Sequence, residues 1–176
     1  NNQLETVIDA SGDKKISITT GLGVSHSRLS NLLKKIKNRK IKFSVSGETT
    51  GKFLELIRYG TTWGDFKERV RMIEDNGHEI EFSSTISNIS ILDFAKFYDT
   101  YNKHHNILVG TINERPFLMP HVLDDLSKEN FILETRSLNN VPQFQDILRL
   151  TGIDPAEEDR SNVGNYLKQF SSRRSI

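Results

Sequence analysis

Three stretches of the chain alternate apolar residues with hydroxyl-bearing ones, and a fourth shares their ending. Ile16 and Ile18 alternate with Ser17 and Thr19 in the stretch Lys15 to Thr20. Ile41, Phe43 and Val45 alternate with Lys42, Ser44 and Ser46. From Glu79 to Ser87, Ile80, Phe82 and Ile86 alternate with Ser83, Thr85 and Ser87, and Ser84 is a small residue on the apolar side. Asn106 to Ile112 is more apolar and includes Gly110-Thr111 near its end. A period of two predicts strands whose successive side chains point to opposite faces. One face then rests on a core, and the other meets something wet or polar.

Helical periodicity fills the gaps. Leu29, Leu32, Leu33 and Ile36 share a face behind Ser25 or Ser27 as N-cap. A short amphipathic turn ends in Ile57-Arg58-Tyr59-Gly60. Thr62, followed three residues later by Asp65, opens a helix carrying Trp63, Phe66, Val70 and Ile73, and Gly77 suits its left-handed cap. Ser90 and Asp93 repeat that opening before Leu92, Ala95, Tyr98 and Tyr101, with the helix reaching about His104. The order is β-α-β-α-β-α-β, which implies a parallel sheet with right-handed crossovers. A doubly wound sheet would carry helices on both faces and read apolar throughout. The hydroxyl face instead predicts helices on one side only and a polar lumen, as in a barrel. Four strands make only part of a barrel of this type. A helix remnant, Leu4 to Ala10, precedes the pattern. A loop over 113–120 and helices near 122–138, 142–150 and 161–173 follow it, as a tail packed across one end of the sheet. The chain divides into residues 1–115, holding the βα units, and 116–176, a helical extension.

Composition removes several classes of function. The 176 residues carry a net charge of +1, which singles out neither nucleic acid nor membrane as partner. Six of the nine residues from Lys34 to Lys42 are Lys or Arg. They read as cations opposing a helix C-terminus, because no aromatic residues interleave to stack bases. No apolar run approaches a membrane span. The absence of Cys excludes disulfides, thiol nucleophiles and thiolate metal sites in this chain, and a cytoplasmic origin is the default.

The candidate chemistry is sparse. Gly47-Glu-Thr-Thr-Gly51-Lys52 follows a strand but is no phosphate loop: it is one residue short between the glycines, and Phe53 follows the lysine. His26, His78, His104, His105 and His121 show no spacing suited to a metal, so no metal ligands are assigned. No G-x-S-x-G elbow is present, and no catalytic residue is assigned. Glu114-Arg115 reads as an exposed loop pair. Arg58 stands out, because an Arg beside apolar anchors at the ligand end of a strand can clamp a carboxylate. A salt bridge to Glu55 or a neighbouring helix is the alternative.

Taken together, Ser44-Val-Ser46-Gly47, then Ile57-Arg58-Tyr59-Gly60-Thr-Thr-Trp63, then Glu79-Ile-Glu-Phe-Ser-Ser-Thr-Ile-Ser-Asn88-Ile-Ser-Ile-Leu92 resemble the middle of a radical S-adenosylmethionine protein of the twitch-containing type. Lys15 to Gly21 resembles the strand before it. The likeness covers about residues 15–115. It implies part of a partial barrel of six parallel βα units, with this chain supplying units three to six. It further implies that Ser44, Ser46 and Arg58 face the ribose and carboxylate of S-adenosylmethionine, and Asn88 its adenosyl part. Ser46 stands where the family commonly has Asp. The family's C-x-x-x-C-x-x-C segment and G-G-E-P-like strand end have no counterpart here. The chain therefore reads as the C-terminal portion of such an enzyme, of unstated substrate. Without thiolates for the [4Fe–4S] cluster it should be inactive alone and hold no cofactor alone. The alternative is a non-catalytic α/β binding or interaction module. Lys15 to Thr20 would be a sheet edge, which predicts pairing with a missing N-terminal half, another chain or a second copy in a homodimer.

Overall fold

The computed structural model describes residues 2–12, 14–112, 115–136 and 142–174. The four stretches become β1 (Ile16–Thr20), β2 (Ile41–Ser46), β3 (Glu79–Ile86) and β4 (Asn106–Thr111). They pair parallel in the order β1-β2-β3-β4. Helix α1 (Asn2–Ala10) precedes them. Helix α2 (His26–Ile36) links β1 to β2; α3 (Gly51–Ile57) and α4 (Trp63–Asp75) link β2 to β3; α5 (Phe94–Tyr101) links β3 to β4. With consecutive strands adjacent and crossovers right-handed, these helices fall on one face. Burial agrees. Ile41, Phe43, Val45, Ile80, Phe82 and Ile107 are buried, while Ser17, Thr19, Thr85 and Gly110 are exposed and Ser44, Ser46 and Ser83 half-buried.

Register explains why the alternation is consistent across the sheet. Half-buried Thr20 and buried Val45, Phe82 and Ile107 form one row on the covered face, and Thr19, Ser44, Glu81 and Asn106 one open row. Phe82 meets Phe97 edge-on at 5.2 Å between ring centroids, Tyr101 at 4.4 Å and His105 at 5.4 Å. Burying a side chain of this size contributes about 1.5–3 kcal/mol. Gly47 lets β2 run under this cluster. A Cβ there would lie 2.9 Å from Phe66 Cζ and 2.9 Å from Phe97 Cζ.

Two details correct the expected pattern. Ser87 lies beyond the end of β3 and is buried rather than on the open face. Its hydroxyl accepts from the Ser90 N–H at 3.1 Å, while Ser90 Oγ accepts from the Ser87 N–H at 2.8 Å. The reciprocal box that opens this segment is thus Ser87–Ser90, three residues before the expected Ser90–Asp93 pair. A 3-10 turn over Ser90–Asp93 then leads into α5. The second detail concerns the tail. Helix α6 (Asp125–Glu134), capped by Asp124, is shorter than the spacing suggests. Helix α7 (Pro142–Thr151) packs beside β4 and α5, where Phe144 stacks on Phe94 at 5.3 Å. Helix α8 (Glu157–Arg174) lies against the 3-10 turns at Pro116–Leu118 and Pro120–Val122. Among the described residues no helix is long and apolar enough to cross a membrane.

Candidate functional site

The C-terminal ends of parallel strands, beside helix N-termini, are where open α/β sheets hold ligands. Here that end is built from the segments after β1, β2 and β3. After β1 the chain turns through Leu22, which is buried with φ of 56°, a left-handed conformation costly to a residue with a side chain. The Leu22 N–H donates to Thr20 Oγ1 at 3.0 Å, and its carbonyl accepts from buried Arg69 Nη1 at 2.9 Å. Both polar groups of the strained residue are therefore satisfied.

After β2, Gly47 to Thr50 cross the top of the sheet. Ser84 Oγ donates to the Gly47 carbonyl at 2.5 Å, and the Thr50 hydroxyl donates to Asp93. Asp93 also meets Lys96 Nζ at 2.6 Å, and this bond holds the Lys96 ammonium above its usual range. Helix α3 then delivers Arg58, whose N–H bonds the Leu54 carbonyl at 2.8 Å. The Arg58 guanidinium folds back over the strand ends. Its Nη2 lies 2.5 Å from Glu48 Oε2, and its Nη1 would be 3.0 Å from a Cβ on Gly21. The side chains of Arg58 and Glu48 are only 19% and 12% exposed. Burial pushes the Glu48 carboxyl up, against the opposing pull of Arg58. Arg58 Nε is shielded from solvent and has no hydrogen-bond partner.

The four residues singled out in the sequence share this end without converging on one point. Ser44 and Ser46 sit on the open face of β2. Arg58 spans the ends of β1 and β2. Asn88 is buried past β3, where its Nδ2 donates to the Phe117 carbonyl at 3.2 Å and its N–H to the Leu118 carbonyl at 2.8 Å. Its Oδ1 is shielded and unpartnered. Asn88 thus ties down the segment after β4, with one acceptor in reserve.

Sequence spacing missed Glu48 as the partner of Arg58. Glu55, the nearer candidate, instead accepts from the Trp63 N–H at 3.0 Å, at the start of α4. The available signal was an acid inside a Gly-bounded loop, ten residues from the Arg. Of the pair Glu114-Arg115, Glu114 lies outside the described residues and Arg115 is exposed. The histidines disperse. His105 Nε2 meets Glu74 Oε1 at 2.7 Å, His121 lies 3.7 Å from Asp159, and buried His78 packs on Phe43. His26, Asp65 and Glu68 come together between α2 and α4.

The lower half of the open face is charged. Lys42 Nζ lies 3.0 Å from Glu81 Oε2, which also accepts from Asn106 Nδ2 at 2.8 Å. The Lys42 hydrogen bond, helped by Asn106, holds the Glu81 carboxyl below its usual range. Thr19 and Ser44 share the row of Glu81 and Asn106, and above that row Ser46, Ser83 and Thr85 carry no charge. No protein-family model, curated protein or solved structure matches the chain.

Proposed function

We propose that the upper half of the open face and the strand ends above it form the cofactor side of a radical S-adenosylmethionine barrel, of which this chain is the C-terminal portion. The observation that carries the reading is Arg58: a mostly buried guanidinium over the strand ends, paired through Nη2 with Glu48 and with its Nε unpartnered. Such a group can bind a carboxylate with directional hydrogen bonds. The residues fit S-adenosylmethionine in kind. Ser44 and Ser46 offer hydroxyls for a ribose, Arg58 would offer donors for the carboxylate once it exchanges Glu48 for the ligand, and the shielded Asn88 Oδ1 would have to open to meet the adenosyl part. S-adenosylmethionine, when bound beside a reduced cluster, supplies radical chemistry. This chain's part is to orient the nucleoside and hold its carboxylate. The residues do not fit the [4Fe–4S] cluster, because the chain has no Cys. No chemical step is assigned to this chain, and the thiolates must come from another segment or chain in a cytosolic setting.

β1 is an edge, and beside it a groove of about 540 Å³ is lined by Ile18, Leu22, Val24, Leu29 and Leu32. A preceding βα unit would pack there, contributed by an N-terminal half, another chain or a second copy. The coding sequence upstream of Asn1 tests the assignment. C-x-x-x-C-x-x-C and a G-G-E-P-like segment in frame or in an adjacent gene support it. A start codon next to Asn1 with neither motif nearby overturns it. Light scattering across a dilution series, with Ile18→Pro as the edge-disrupting control, tests the homodimer: a concentration-dependent dimer lost in the variant supports it, and a monomer throughout rules it out.

A further inference from the structure

We propose that His26, Asp65 and Glu68 form a binding site for a divalent transition-metal ion of the zinc class, clipping α2 to α4. His26 is remote in sequence from Asp65 and Glu68 but meets them because both helices begin at the same end of the sheet. His26 is the first residue of α2, after the N-cap Ser25; Asp65 lies in the first turn of α4, and Glu68 one turn on. One ligand atom from each falls within 4.8 Å of the others.

The histidine points to a ligand. Its Nε2 is shielded from solvent and makes no hydrogen bond, although Glu68 Oε1 is 2.9 Å away. The oxygen lies off the line along which a ring N–H would donate. An ion bound to both atoms needs no such alignment. Metal–nitrogen and metal–oxygen distances of about 2.0–2.2 Å place neighbouring donors roughly 3 Å apart. Asp65 is fixed at the start of α4, where its N–H donates to Thr62 Oγ1 at 3.0 Å. Two carboxylates and an imidazole are a donor set that divalent transition metals accept.

Arg69 is the competing cation. Its Nη2 lies 3.8 Å from Asp65 Oδ2, but its Nη1 is committed to the Leu22 carbonyl at 2.9 Å. It therefore weakens the site without occupying it. The imidazole favours zinc, cobalt or nickel over magnesium or calcium. The Glu68 side chain is 63% exposed, which leaves solvent access for water as a further ligand. The site stands apart from the Glu48–Arg58 pair and does not depend on the proposed function.

The test uses the full chain, without a histidine tag and stripped with chelator, titrated with CoCl2 by absorption and with ZnCl2 by calorimetry. One equivalent of Co2+ should give d–d bands that ZnCl2 abolishes. His26→Ala and Glu68→Gln should each weaken Zn2+ binding at least tenfold, while His104→Ala, at an exposed position, leaves it unchanged. Far-UV circular dichroism of the metal-free variants confirms that the fold is kept. Absence of stoichiometric binding would overturn the proposal. So would binding that survives both His26→Ala and Glu68→Gln, since the ion would then lie on other residues.

Discussion

The two faces of the sheet use the same strands to opposite ends. On the covered face, Phe43, Val45 and Phe82 are essentially inaccessible, and Phe82 interlocks with aromatic rings from α4 and α5. On the open face, one residue along each strand, Ser44, Ser46, Ser83 and Thr85 remain at least partly accessible. The covered face is an interior in which each methyl group is felt. The open face carries instead hydroxyls and the Lys42–Glu81–Asn106 network. Fold and site are thereby separable at single-residue resolution.

The sharpest way to break this contrast is on the covered face. Phe82→Ala should destabilise the chain by about 3–5 kcal/mol, measured by denaturant unfolding. A loss below about 1 kcal/mol would show that the face is not a packed core. Gly47→Ala comes next. Its added Cβ would press on the Phe66 and Phe97 rings, which should cost about 1–3 kcal/mol as overpacking.

Glu48 sharpens the contrast at the boundary between the faces. Its folded pKa is raised, first by burial, so the native state binds the proton more tightly than the unfolded chain does. Stability attributable to this group should therefore fall as pH rises from the ordinary glutamate value of 4.5 through the raised one. Glu48→Gln should remove that slope in unfolding midpoints measured across the acid range. An unchanged slope would mean that Glu48 is not buried against Arg58. The smallest effect belongs to the open face: Ser44→Ala and Ser46→Ala should each change stability by less than about 0.5 kcal/mol.

The contrast also explains what the sequence could convey. The strands, their order and the sidedness of the hydroxyls were legible because a period of two is a local signal, and parallel crossovers leave few topologies. Ser87 escaped, since alternation does not say where a strand stops and a cap begins. Arg58 was legible as a charge among apolar neighbours, but its partner was not. Glu48 reaches it only because Gly51, at φ of 52°, turns the chain into α3. The cluster of His26, Asp65 and Glu68 left no trace in sequence spacing. Its members sit on two helices that only the sheet brings side by side.

Under the proposed function, the open face and the strand ends would receive an S-adenosyl ligand. The most direct measurement is a nuclear magnetic resonance titration of the isotopically labelled chain with millimolar S-adenosylhomocysteine, a concentration at which a partial site still shows weak contact. Shifts should centre on Gly21, Ser44, Ser46 and the Arg58 side chain, be lost in Arg58→Gln and be absent from the helix layer. Shifts confined to the helix layer, or none at these four residues, would contradict it.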